Sequence, residues 1–159
     1  MTGVTHQYRT RLEWSGSTGE GYEDYDRTHS VTAVAASQGL TLSSDAAFRG
    51  DPSLLNPEQL LVAAASSCQL LSFLAVAARA RLDVIEYHDD AVAVMPEDDP
   101  PTRITRIDLH PTITLLAGDD PRPEDARLNH LVEVAHRSCY IANSLRSDVQ
   151  VHPTFRWTT

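Results

Sequence analysis

Apolar residues recur along this chain in distinct rhythms. Tyr8, Thr10, Leu12 and Trp14 alternate with polar or charged neighbours, the two-residue period of a half-buried strand, and SGSTGEG after them makes a turn. Thr28 to Ala35 and Leu40 to Ser43 read as two further extended pieces around Gln38-Gly39. Residues 44 to 55, SDAAFRGDPSLL, form a connection punctuated by Gly and Pro that delivers Arg49 close to the first helix. That helix opens with Asn56 as N-cap, Pro57 at the first helical position, and Glu58 and Gln59 where negative charge and reaching side chains suit exposed amides. It is expected to run to about Arg81, with Leu61, Ala64, Cys68, Leu71, Ala75 and Ala78 at spacings of three or four as its packed stripe.

Strand patterns return at Val84 to Met95 and at Arg103 to Leu116, separated by the loop PEDDPPTR. In the second, Ile107, Leu109, Pro111, Ile113 and Leu115 keep period two, and Pro111 marks an edge position or a bulge. GDDPRP leads into a second helix from about Pro123 to Arg137 or a little beyond, with Leu128, Leu131, Val132, Ala135 and Cys139 as its stripe. Ser147 to Trp157 is a final strand pattern. The order of strands, long helix, strands, helix and strand, without repeat or linker, predicts one α+β domain over residues 1–159.

Leu60 to Ala78 holds 19 residues without a charge, which approaches membrane-spanning length. Ser66, Ser67, Gln69 and Ser72, the Ala-rich character and the lack of a second such segment favour the centre of a soluble core instead. With 22 acidic against 13 basic side chains the net charge is -9, so a nucleic-acid backbone is repelled over most of the surface. The N-terminal MTGVTHQYRTRLEW lacks the apolar core of a secretory signal and two cysteines are too few for a disulfide scaffold, so a reducing, cytoplasmic setting is expected.

Those two cysteines, Cys68 and Cys139, stand 71 residues apart, each on its own apolar helical pattern. Either alone reads as core filler, since Cys is among the residue types most often buried. Together they are also a candidate redox pair, because helices packed about 8 to 10 Å apart can bring inward side chains within disulfide geometry. A reactive thiol must ionise, whereas burial opposes ionisation, so a cation beside it is required. Cys68 is mid-helix and the chain has no Lys, which leaves Arg or a protonated His. Arg49 is the candidate and Arg27 in YDRTHS the alternative; either also reads as a surface arginine. Glu58 can hold such an arginine by bidentate pairing or simply serve the helix dipole. Ten residues of helix are about 15 Å of rise, so Glu58 cannot touch Cys68 of its own helix. His136 and Cys139, three apart, suggest metal only weakly without a second pair of ligand spacing, and no nucleophile elbow supports a Cys/His/Asp hydrolase.

NPEQLLVAAASSC, Asn56 to Cys68, followed by AHRSCYIANSL, Ala135 to Leu145, resembles the OsmC/Ohr superfamily of osmotically inducible and organic hydroperoxide resistance proteins over nearly the whole chain. The resemblance implies an OsmC-like fold, with antiparallel sheets wrapped around central helices in an intertwined homodimer. It implies thiol-dependent reduction of organic hydroperoxides or hydrogen peroxide. Cys68 would be the peroxidatic thiol, Cys139 the resolving thiol, Glu58 the carboxylate of Asn-Pro-Glu and Arg49 the activating arginine. No bound cofactor or metal is implied, but an external reductant is, dihydrolipoamide-like or another dithiol. Tyr140 stands where many members have Pro, Gln69 where aromatic residues or His are common, and the glycine-flanked arginine of the Ohr branch is missing, which suggests a third branch. The alternative is an OsmC-like protein that binds a small apolar ligand without significant turnover.

Overall fold

The computed structural model describes residues 3–118 and 121–159; Met1, Thr2 and the Asp119 and Asp120 of GDDPRP lie outside the described residues. The chain divides into two compact units, the first running to Leu60 and the second from Leu61 to Thr159.

In the first unit, β1 (Thr10–Glu13), β2 (His29–Ala33) and β3 (Leu40–Leu42) form an antiparallel sheet in that order. Every residue of β1 is exposed, so the alternation read as a half-buried strand forms a strand with no buried face. After β3 comes a single 3-10 turn, Ala46–Phe48, whose first amides are tied by Asp45: its carboxylate accepts from the Ala47 amide at 2.7 Å. Arg49 closes the turn in the left-handed region at φ 64°, and Gly50 follows where any Cβ would fall 1.6 Å from the Ser44 carbonyl oxygen, so only glycine fits. Asn56 then caps the long helix reciprocally. Its side chain accepts from the Gln59 amide at 2.8 Å, and Gln59 Oε1 accepts from the Asn56 amide at 3.0 Å.

Helix α1 spans Pro57–Arg79 and is long and apolar enough, by length and composition, to cross a membrane. Its buried residues are Ala65, Gln69, Phe73 and Ala77. This corrects the stripe read from periodicity: Leu71, Ala75 and Ala78 are exposed, Leu71 at 64%, and Cys68 is half-buried at the edge of the buried face. A helix that is apolar on nearly all sides gives periodicity nothing with which to set its phase.

The second unit contains a regularity hidden in the sequence. Each long strand pattern is two strands in two different sheets. Val84 to Met95 divides into β4 (Val84–Asp89) and β5 (Val92–Val94), Arg103 to Leu116 into β6 (Arg106–Leu109) and β7 (Pro111–Leu116), and the last into β8 (Asp148–Val151) and β9 (Thr154–Thr158). The sheets run β4-β7-β9 and β5-β6-β8. Pro111, which lacks an amide for the ladder, is the first residue of β7, where the chain changes sheet. The corners are tied: Asp89 accepts from the His110 amide at 2.7 Å, the His152 amide donates to Leu109 O at 2.8 Å, and the rings of His110 and His152 stack with centroids 4.9 Å apart.

The expected antiparallel sheets hold for β1-β2-β3, β4-β7 and β5-β6 and are corrected at two pairings. β6 pairs with β8, and β7 with β9, in parallel, because the second partner follows only after the helical connection of α2 (Asp125–Arg137) and α3 (Tyr140–Ser144). Phe73 and Ala77 of α1 pack with Ile113 and Leu115 of β7 and with Leu128, Val132 and Ala135 of α2. Ala65 packs with Ile104, with Ile107 and Leu109 of β6, and with Val149 of β8. One helix thus joins both clusters, and Cys68 sits between its two anchoring positions. The α+β class expected from the sequence is the class of the structure.

Candidate active site

The second helix, expected to end at Arg137 or a little beyond with Cys139 on its stripe, does end at Arg137, before Cys139. The Ser138 amide turns back to Ala135 O and the Cys139 amide to His136 O, both at 3.0 Å, and Cys139 then adopts an extended backbone with φ -74° and ψ 104°. Cys139 is therefore the N-cap of α3 and does not extend the Leu128, Val132 and Ala135 stripe. His136 and Cys139 consequently do not share one helical face.

This break brings the two thiols together. The two thiols are neighbours: Cys68 is among the groups that raise the Cys139 pKa, and the Ile141 amide, two residues after Cys139 in the first turn of α3, donates to Cys68 Sγ at 3.5 Å. Both cysteines are free. The deduction that only an arginine or a histidine can assist a mid-helix Cys68 is thus incomplete: an amide of another helix reaches it. No sequence signal marked that helix, because α3 lay inside what read as the tail of α2.

The surroundings of the two sulfurs differ. Cys139 is 1% exposed, and burial above all, with the neighbouring Cys68 adding to it, pushes its thiol up to about 11, while the Ala142 and Ile141 amides pull the other way. Tyr87 of β4 is pushed well above the usual tyrosine range, first by burial and then by the charges of Asp89 and Cys139. Among the described residues its Oη has no hydrogen-bond partner, nor do Gln69 Oε1 and His136 Nδ1. Gln69, the residue after Cys68, reaches Val132 O only at a long 3.5 Å.

The remaining candidates belong to the first unit. Arg49 is paired with the carboxylate of Glu23, both side chains being more than half exposed. Arg27 is held more firmly: it donates to Tyr22 O at 2.6 Å and Tyr25 O at 2.8 Å, and lies over the Tyr25 ring at 3.9 Å and the Tyr22 ring at 4.8 Å. Beside it a cavity of about 340 Å³ is lined by residues including Trp14, Tyr25, Arg27, His29 and Pro57. Glu58 is half-buried in the first turn of α1. Among the described residues no cluster of three or more His, Cys, Asp or Glu side chains is placed to hold a metal ion.

Residues 50–154 match the family model of the OsmC-like protein. The chain belongs to the OsmC/Ohr superfamily. Among solved structures, an OsmC-like protein of unknown function from Vibrio cholerae is 25% identical, with a TM-score of 0.84 over 94% of this chain and 100% of that one. An organic hydroperoxide resistance protein from Elizabethkingia anophelis is 18% identical, with a TM-score of 0.69 over 99% of this chain and 100% of that one. The organic hydroperoxide resistance protein of Bacillus subtilis is 18% identical, with a TM-score of 0.60 over 95% and 98%. At that identity the last two share the OsmC-like fold. No curated protein matches the chain.

Proposed function

We propose that this OsmC-like chain is a thiol-dependent peroxidase that reduces organic hydroperoxides, and hydrogen peroxide as a smaller substrate of the same chemistry. The observation that carries the reading is that the helix starting at Cys139 sets its Ile141 amide on the Cys68 sulfur at 3.5 Å, which makes the chain's two cysteines neighbours. Family membership supports it. The Cys68 thiolate attacks the outer peroxide oxygen, the O–O bond breaks, the alcohol leaves with a proton, and Cys68 becomes a sulfenic acid. Cys139 condenses with it, expelling water and forming the disulfide, which an external dithiol reduces to close the cycle.

In this reading Arg49 supplies the positive charge that holds Cys68 as a thiolate, with Arg27 as the alternative, and Glu58 orients the arginine. The protein works as a homodimer in the cytoplasm, with no bound cofactor. The exposed side of α1 favours the dimer: Leu71, Leu74, Ala75 and Ala78 form an apolar face that a second copy would cover.

The test is to mix the reduced protein with excess tert-butyl hydroperoxide and follow free thiols and intact mass, then peroxide consumption with dithiothreitol present. Loss of both thiols with a mass decrease of about two daltons, abolished in Cys68→Ser, is the expected outcome. Thiols that stay unreactive would refute the peroxidase.

A further inference from the structure

Resting on the peroxidase reading, a further step can be assigned: the return of the oxidised pair to thiols. The two sulfurs of a Cys68–Cys139 disulfide are unequal targets. An incoming thiolate must approach one sulfur from the side opposite the other, so access decides. Cys139 is 1% exposed and enclosed between the end of α2 and the start of α3. Cys68 is half-buried on α1, next to the exposed Ser67, which lies outside the apolar face assigned to a second copy, one turn before it starts.

We infer that the reducing thiol attacks Cys68, so that Cys139 is the leaving sulfur and the mixed disulfide is carried by Cys68. The incoming thiolate forms a bond to Cys68 Sγ as the Cys68–Cys139 bond breaks, and the Cys139 thiolate takes a proton from solvent. The second thiolate of the reductant then attacks its own sulfur in the mixed disulfide and expels Cys68 as a thiolate. The dithiol loses two electrons and leaves as a disulfide; the two cysteines gain them.

Leaving-group chemistry opposes this choice, since Cys139, with its thiol pushed up to about 11, is the poorer leaving sulfur. That costs on the order of tenfold in rate. Opening a core position to admit a thiol costs more, on the order of a hundredfold or beyond in reactive population, so access wins. Among the described residues, ionisable groups that interact with Cys139 include Cys68 on α1 and Tyr87 on β4. Once released, Cys139 is protonated at neutral pH and slow to strike back, so the adduct on Cys68 persists.

The experiment forms the disulfide with diamide, which needs no peroxidase activity. It then adds limiting 2-mercaptoethanol, quenches in acid, blocks free thiols with N-ethylmaleimide and maps peptides by mass. Mercaptoethanol on Cys68 and maleimide on Cys139 is the expected result. Adducts mainly on Cys139, shared equally between the two, or no disulfide with diamide would each overturn the inference. A disulfide that forms with diamide but not with tert-butyl hydroperoxide would count against the peroxidase alone. As a second reading, the adduct's lifetime should shorten about tenfold per pH unit above neutrality, as the Cys139 thiolate fraction grows; a lifetime independent of pH would contradict Cys139 as the sulfur released.

Discussion

Cys68 and Cys139 are the same residue and neighbours, yet the chain gives them opposite surroundings. Cys68 sits mid-helix on the margin of a buried face and receives an amide from α3. Cys139 sits where one helix stops and another starts, sealed from solvent and pushed up to about 11. The difference teaches that placement, not residue type, divides the chemistry. The exposed margin suits attack on a substrate, and the sealed break suits a thiol that waits until its neighbour has been oxidised.

That contrast can be broken in graded steps. Removing the sealed thiol should have the largest effect: Cys139→Ser is expected to keep the first reaction with peroxide but to lose disulfide formation, so that intact mass shows sulfenic and higher oxides on Cys68. Recycling like that of the wild type would erase the distinction. Next, Arg49→Ala should slow peroxide attack by about tenfold or more. Stopped-flow oxidation reports the rate; if only Arg27→Ala slows it, the activating cation is the one lying over the Tyr22 and Tyr25 rings.

A smaller effect separates the thiols by pH. Folding raises the Cys139 value from an ordinary 9.0 to about 11, so the folded state holds that proton more tightly. The resulting stabilisation is complete below about pH 9 and is lost as pH rises from there through about 11. Denaturant midpoints measured across this window should fall more steeply in the wild type than in Cys139→Ser. The smallest change concerns Tyr87, whose buried Oη has no partner among the described residues. Tyr87→Phe should raise stability by about 1 kcal/mol in urea melts, because it removes an unsatisfied buried hydroxyl while keeping the ring beside Phe73. A clear loss would mean that the hydroxyl has a partner in solution.

Much of the fold was legible because local signals were strong: the Asn56 cap with Gln59, the strict alternation of Ile113 and Leu115, and the polar face of α2. What failed did so for identifiable reasons. Periodicity mis-set the buried face of α1, since an all-apolar helix offers no polar side for contrast. It also ran strands through their corners, because the alternating pattern of Ile107 to Leu115 continues unbroken past His110 while the sheet changes beneath it. At the site, both cysteines were visible by their scarcity and spacing. The Ile141 amide was not, since a backbone group leaves no mark on composition, and the helix break at Ser138 carries neither Gly nor Pro.

The corners between the two sheets bear on how this chain can change length over evolutionary time. An extra residue inside β4 or β6 would flip every following side chain of that strand to the wrong face. One inserted at Asp90-Ala91, between the end of β4 and the start of β5, falls where the chain already leaves one ladder for another. At the second corner His110 is the single linking residue, and its amide is held by Asp89, so an insertion there would pull the tie apart. Related sequences should therefore vary in length at the first corner and keep a fixed count at the second.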